Sequence, residues 1–231
     1  MLPKIEYPIF NLTTPLTKQE VTIRPMTLKD EKILLTAQES KDIVNLMDAM
    51  FVCLKNCIVS ETDLRKLPWI DLQYAFLFLR SRSIGEISSI MIPDDYDSIK
   101  KHKVSINIEN VNIIVDQQSD KIYLTENTGL KMREPVFKHI RMVNKQTDST
   151  SKMIAYIRGC IDYVFDEENV YSEDSFTDDQ LTEYLENLPA SIFVKIKDYI
   201  EKSPKIEYNV EYTNTKGERK NIAFDTIENF F

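Results

Sequence analysis

The chain has 231 residues, a formal charge of −8 from 37 acidic and 29 basic side chains, and 42% hydrophobic residues. That length suits one compact domain or two small ones with a buried core, and the apolar content excludes wholesale disorder. The acidic balance argues against a grip on nucleic-acid phosphates. The longest apolar run, around Tyr74 to Leu79, is far short of a bilayer span, so neither nucleic acid nor membrane is an expected partner.

The first stretch, MLPKIEYPIFNLTTPLTKQEVTIRP, carries Pro3, Pro8, Pro15 and Pro25. Proline fixes φ and removes a backbone donor, which forbids helix and suits extended, edge-like chain. No basic start with an uninterrupted apolar run is present, so this is not a secretory signal and Met1 is expected to begin the working protein. Thr27-Leu-Lys-Asp30 reads as a capping box opening a helix to Glu39. A second helix from Lys41 to Ile58 places Ile43, Met47, Met50, Leu54 and Cys57 on one stripe. Asp71 starts a third helix, apolar on most sides, that ends near Ser83 with Gly85 as its stop.

The period then shortens. Ile87 to Ile92, Val104 to Ile108, Val111 to Val115 and Ile122 to Leu124 read as strands of one small antiparallel sheet. Asn127-Thr-Gly129 is expected to be a turn with Gly129 at positive φ. Helices return at about 136–145 and 151–165, the latter with Ile154, Ile157, Ile161 and Val164 on one face. The acidic loop Asp166 to Asp174 leads to a capped helix near 177–187, and Pro189 opens another to Lys202. From Lys205 the chain alternates again, with Tyr208, Val210 and Tyr212 on one face, a Lys216-Gly217 turn, then Ile222 and Phe224. Residues 86–111 and 206–231 echo each other as two hairpins. The expected class is α+β, with helical groups flanking a small antiparallel sheet and a C-terminal β-hairpin. The expected regions are 1–26 (extended), 27–85 (helical), 86–134 (sheet), 135–203 (helical) and 204–231 (hairpin).

No pattern announces chemistry. Cys53, Cys57 and Cys160 form no even disulfide framework, which suits a reducing compartment. Cys53 and Cys57 could share one metal, but His102 and His139 lie in other elements, so core packing is expected for both and for Cys160. The acidic loops lack the glycine and ligand order of a calcium site. Glu126 to Lys131 has one glycine where a phosphate loop needs two, and Arg80 and Arg82 complement a helix end. No HExxH or GxSxG occurs. We therefore expect no catalytic, metal or cofactor-binding residues.

Four segments carry a likeness: MLPKIEYPIF, Asp30-Glu-Lys-Ile-Leu-Leu35, Leu79-Arg-Ser-Arg-Ser-Ile-Gly-Glu86 and Lys121-Ile-Tyr-Leu-Thr-Glu-Asn-Thr-Gly-Leu-Lys-Met132. In order, over nearly the whole chain, they resemble the baseplate hub (central spike complex) assembly proteins of T-even-type bacteriophages. The resemblance implies a late phage protein made in the host cytoplasm, no enzyme activity, and a place in building the tail baseplate. It implies partners among other hub or tail proteins, and an oligomer within the hub is compatible with it. Similar phage proteins carry Cys-x-x-Cys knuckles at hairpin turns. The turns Pro93 to Lys103 and Asn214 to Lys220 here contain no cysteine, so no zinc ligand is carried over and packing must hold the hairpins.

Docking is expected at the two ends, through Ile5, Tyr7, Ile9 and Phe10 in front and Phe230 and Phe231 behind. An extended, proline-punctuated segment suits strand addition to a sheet edge. The competing expectation is that these residues pack on their own domain. Two further functions remain as alternatives. One is a transient assembly chaperone for a long tail protein, absent from the finished virion. The other is an envelope hydrolase with paired carboxylates in a cleft.

Overall fold

A computed structural model describes residues 3, 5–85, 87–97, 99–107, 111–115 and 119–224. Of the residues singled out above, Met1, Glu86, Ile108, Phe230 and Phe231 lie outside the described residues. The first elements are β1 (Phe10–Thr13), β2 (Glu20–Ile23), α1 (Leu28–Ser40), α2 (Ile43–Cys57) and α3 (Trp69–Ile84). There follow β3 (Ile87–Pro93), β4 (Lys101–Asn107), β5 (Asn112–Ile114), β6 (Lys121–Tyr123) and β7 (Gly129–Met132). The remainder is α4 (Phe137–Asn144), α5 (Ser149–Gly159), β8 (Ile161–Phe165), β9 (Val170–Ser172), α6 (Asp178–Glu186), α7 (Ala190–Glu201), β10 (Lys205–Thr213) and β11 (Arg219–Phe224). The protein is α+β, with every strand pair antiparallel and a C-terminal hairpin. It divides into two compact units: Met1–Leu64, Ile70–Ile114 and Pro204–Phe231 in the first, Arg65–Trp69 and Val115–Ser203 in the second.

In the first unit, α1 begins where the capping signal lies. The Asp30 carboxylate accepts from the Thr27 amide at 2.9 Å and hydroxyl at 2.8 Å, satisfying donors that the first turn leaves orphaned. Asp42 caps α2 by accepting from the Val44 amide at 2.8 Å. The α2 stripe is buried at Met47, Met50, Cys53, Leu54 and Cys57. Helix α3 is buried at Ile70, Leu72, Ala75, Phe76, Leu77 and Leu79, as a helix without a water-facing side must be. Burial of a side chain such as Phe76 contributes about 1.5–3 kcal/mol.

The strands expected in one small sheet are divided among three. β3 and β4 make a hairpin of their own. β5 pairs with β10, opposing Ile114 to Lys205 and Asn112 to Glu207, and β10 pairs in turn with β11. β6 belongs to the second unit, in the sheet β6-β7-β8-β9. The turn between β10 and β11 has Gly217 at φ +81°, as expected.

Two expectations fail in the second unit. Gly129 is not a turn residue but the first of β7, with no positive φ. Glycine is required there for closeness: a Cβ would lie 2.5 Å from the Ile122 carbonyl oxygen and 2.7 Å from the Phe165 ring. The helix expected over 151–165 stops at Gly159, and Ile161 and Val164 belong to β8. Gly159 lets His139 approach, since a Cβ would meet the His139 Cβ at 2.7 Å, and the chain leaves it as strand because β7 and β9 flank β8 on both sides. The core of this unit joins Leu130, Met132, Ile157, Cys160, Ile161, Leu181 and Ile196.

Candidate functional site

Of the expected N-terminal docking residues, Ile5, Tyr7 and Ile9 precede β1 and Phe10 begins it. Phe10 and Leu12 of β1 face inward, half-buried and buried, while Asn11 and Thr13 face water. Ahead of β1 residues 5–9 belong to no strand and are all exposed, with Ile5, Tyr7 and Ile9 at 68%, 43% and 63%. The Tyr7 ring lies 5.7 Å from the Arg24 guanidinium, and the Phe10 ring the same distance from that of Arg82. The N-terminal segment thus touches its own unit through two cations and leaves its aliphatic groups in solvent. The structure leaves Ile5, Tyr7 and Ile9 exposed ahead of β1 and half-buries Phe10 at its start.

One side of the hairpin is occupied. β1 pairs with β2, and the far side of β2 is taken by the end of α2 and the residues after it, where the Val59 amide donates to the Thr22 carbonyl and the Arg24 amide to that of Cys57, both at 2.9 Å. Among the described residues the outer edge of β1 pairs with no strand. Unpaired edges are templates for another chain. The hairpin is held by Asp71, fully buried on α3. Its carboxylate accepts from the Leu16 amide at 2.8 Å, the Thr17 amide at 3.0 Å and the Thr17 hydroxyl at 2.6 Å. Sequence reasoning saw Asp71 only as a helix start. Its signal is that of the one carboxylate in a strongly apolar helix.

A second polar cluster joins the two hairpins that echo each other. Asp94 is buried, and its Oδ1 accepts from the amides of Tyr96 and Asp97 and the hydroxyl of Thr215. Its Oδ2 accepts from the Thr215 amide at 2.8 Å and His102 Nε2 at 2.7 Å. Burial opposes the charge, but His102 and the three amides outweigh it and hold the carboxyl well below the usual carboxylate range. The hairpins are therefore clasped by one carboxylate as well as by packing.

A family profile described as T4 bacteriophage base plate protein matches residues 7–231. The chain belongs to that family. No curated protein matches it, and no solved structure does. For a baseplate protein, other baseplate proteins are the natural partners. Among the described residues no helix is long and apolar enough to cross a membrane.

The remaining reactive groups of this baseplate protein are engaged in its own fold. Cys53 and Cys57 are fully buried, and burial together with the nearby Asp30 charge pushes both thiols up to about 12. Asp30 itself is buried yet held below its ordinary value, since Thr27, Asn56 and Arg24 all donate to it against the cost of burial. In the second unit the Val136 amide donates to His139 Nδ1 at 3.2 Å, and Arg133 Nη2 and a Glu173 oxygen lie 3.2 and 3.6 Å from Nε2. Burial, then the Arg133 charge, push that imidazole down to about 4. Lys138 and Arg133 donate to Glu173 at 2.6 and 3.0 Å; against the cost of burial, they hold its carboxyl down at about 2. Among the described residues no three His, Cys, Asp or Glu side chains are grouped to hold a metal ion.

Proposed function

We propose that this baseplate protein is a hub assembly component, and that it docks other hub or tail subunits by strand addition along Ile5 to Thr13. The observation that carries the reading is the exposure of Ile5, Tyr7 and Ile9 immediately ahead of the outer edge strand β1. A partner strand beside this line gains backbone hydrogen bonds for affinity and a row of alternate side chains for specificity. Pro8 costs the line one donor, which is tolerated on an edge. Phe230 and Phe231 stay in the proposal as a second anchor.

The role is non-enzymatic. What supports this is that Asp30, Asp71 and Asp94 are consumed by structural donors, and that the imidazoles of His102 and His139 each have a structural partner. A chaperone that leaves before the particle is complete is favoured by a different feature, an apolar groove among α5, α6 and α7. Mass spectrometry of purified particles separates the two, because a subunit persists in fixed copy number and a chaperone does not.

The docking test is light scattering behind a sizing column, with co-expressed hub subunits and either the full chain or a chain lacking residues 1–8. Cutting to residue 12 would remove Leu12, which is 5% exposed, and confuse docking with folding. The full chain is expected in a defined complex and the shortened one folded but alone. Equal complex formation by both would refute strand docking.

A further inference from the structure

Helices α5, α6 and α7 of the second unit leave an open apolar groove of about 330 Å³ between them. Its floor is Ile157 and Ile196, which belong to the unit's core, and its walls include Leu185 and Leu188. On its lips Met153 and Phe193 stand 46% and 40% exposed. Large apolar side chains facing each other across such a groove mark a binding surface more than a packing accident.

The charge beside the groove has one sign on α6. Thr182 and Glu186 line it, and at 3.6 residues per turn Asp179, Glu183 and Glu186 fall within one stripe of about 60° next to that lining. All three are exposed, and none is paired with a basic side chain among the described residues. Their neighbour Asp178, by contrast, is bridged to Arg158. On the α7 side Lys197 is matched by Glu201 at 3.5 Å. The uncompensated charge of the rim is therefore negative.

The lining comes mostly from helices, whose inner backbone groups are already hydrogen-bonded, so an occupant must satisfy most of its own. That requirement selects a helix over an extended segment. We propose that the groove docks a basic amphipathic α-helix of another subunit. Apolar side chains at i, i+3 and i+4 enter over Ile157 and Ile196 between Met153 and Phe193, and flanking Lys or Arg meets Asp179, Glu183 and Glu186. This site is separate from the β1 edge, and either can fail without the other.

The test uses the full chain and three fluorescent peptides of about 18 residues. They are an amphipathic Leu/Lys helix, a scramble of the same composition, and a Leu/Glu helix of the same pattern. Fluorescence anisotropy reports affinity, and methyl NMR of Met153, Ile154 and Ile157 reports the place. The Leu/Lys helix is expected to bind saturably and to shift those methyls. Met153→Ser with Phe193→Ser should weaken it about tenfold or more, and Glu183→Lys with Glu186→Lys should weaken it severalfold at low salt. Both lysine positions are exposed, so that variant carries the test if the serine variant fails to fold by circular dichroism. Equal binding by the scramble or the Leu/Glu helix, unshifted groove methyls, affinity untouched by the folded variants, or no binding would overturn the proposal.

Discussion

Asp71→Ala tests how the N-terminal edge is held in place. The substitution removes the acceptor of three hydrogen bonds that tie the turn between β1 and β2 to α3. The Leu16 amide is half-buried, and losing a charged acceptor there costs about 1.5–3 kcal/mol. Thr17 is exposed, so water takes over its amide and hydroxyl and each loss stays under about 1 kcal/mol. The sum is about 2–4 kcal/mol, felt locally. Because the protein has two units, one global midpoint would blur this effect, and site-resolved amide exchange is the better assay. Exchange at Leu16 and along β1 and β2 should accelerate by about 30- to 700-fold, at a factor of ten per 1.4 kcal/mol. Asp71→Asn keeps one acceptor oxygen and should fall between. Acceleration below about fivefold, or an equal rise throughout both units, would refute the view that this carboxylate positions the edge.

Two further outcomes follow from the second unit. Gly129→Ala forces a Cβ against the Ile122 carbonyl and the Phe165 ring, and should cost about 1–3 kcal/mol; calorimetry should show an earlier transition, and an unchanged one would refute the close approach. His139 stays neutral in the fold down to about pH 4, whereas the unfolded chain takes up its proton below about 6.5. Stability is therefore complete above about pH 7 and falls as pH drops from 6.5 to 4, by up to about 3 kcal/mol. His139→Gln, which can still accept from the Val136 amide, should flatten urea-unfolding free energies across that window.

Elements set by local chemistry were legible in the sequence. The Thr27 to Asp30 box, the stripe from Ile43 to Cys57 and the Gly217 turn each carry their cause within a few residues. What required distant partners was not legible. Ile161 and Val164 continue a helical period from Ile154, and only the neighbouring strands β7 and β9 make them strand. The partner of β5 is β10, which no local pattern announces. In the candidate site, the alternation of Ile5, Tyr7 and Ile9 was readable, but its support was not. Asp71 and Asp94 look like a helix start and a turn residue until the chain brings Leu16, Thr17 and Thr215 to them.

The pairing of β5 with β10 also sets an order of events at the ribosome. Residues 112–114 emerge about ninety residues before the strand that covers them, which at 5–20 residues per second is a wait of about 5–18 s. Strands β6 to β9 complete their sheet within that interval, since all lie between Lys121 and Ser172. The sheet of the inserted unit is thus formed before that of the host unit. The latter closes only once Lys205 to Glu207 leave the exit tunnel, just behind the α7 residues Ile192, Ile196 and Tyr199 that complete the inserted unit's core.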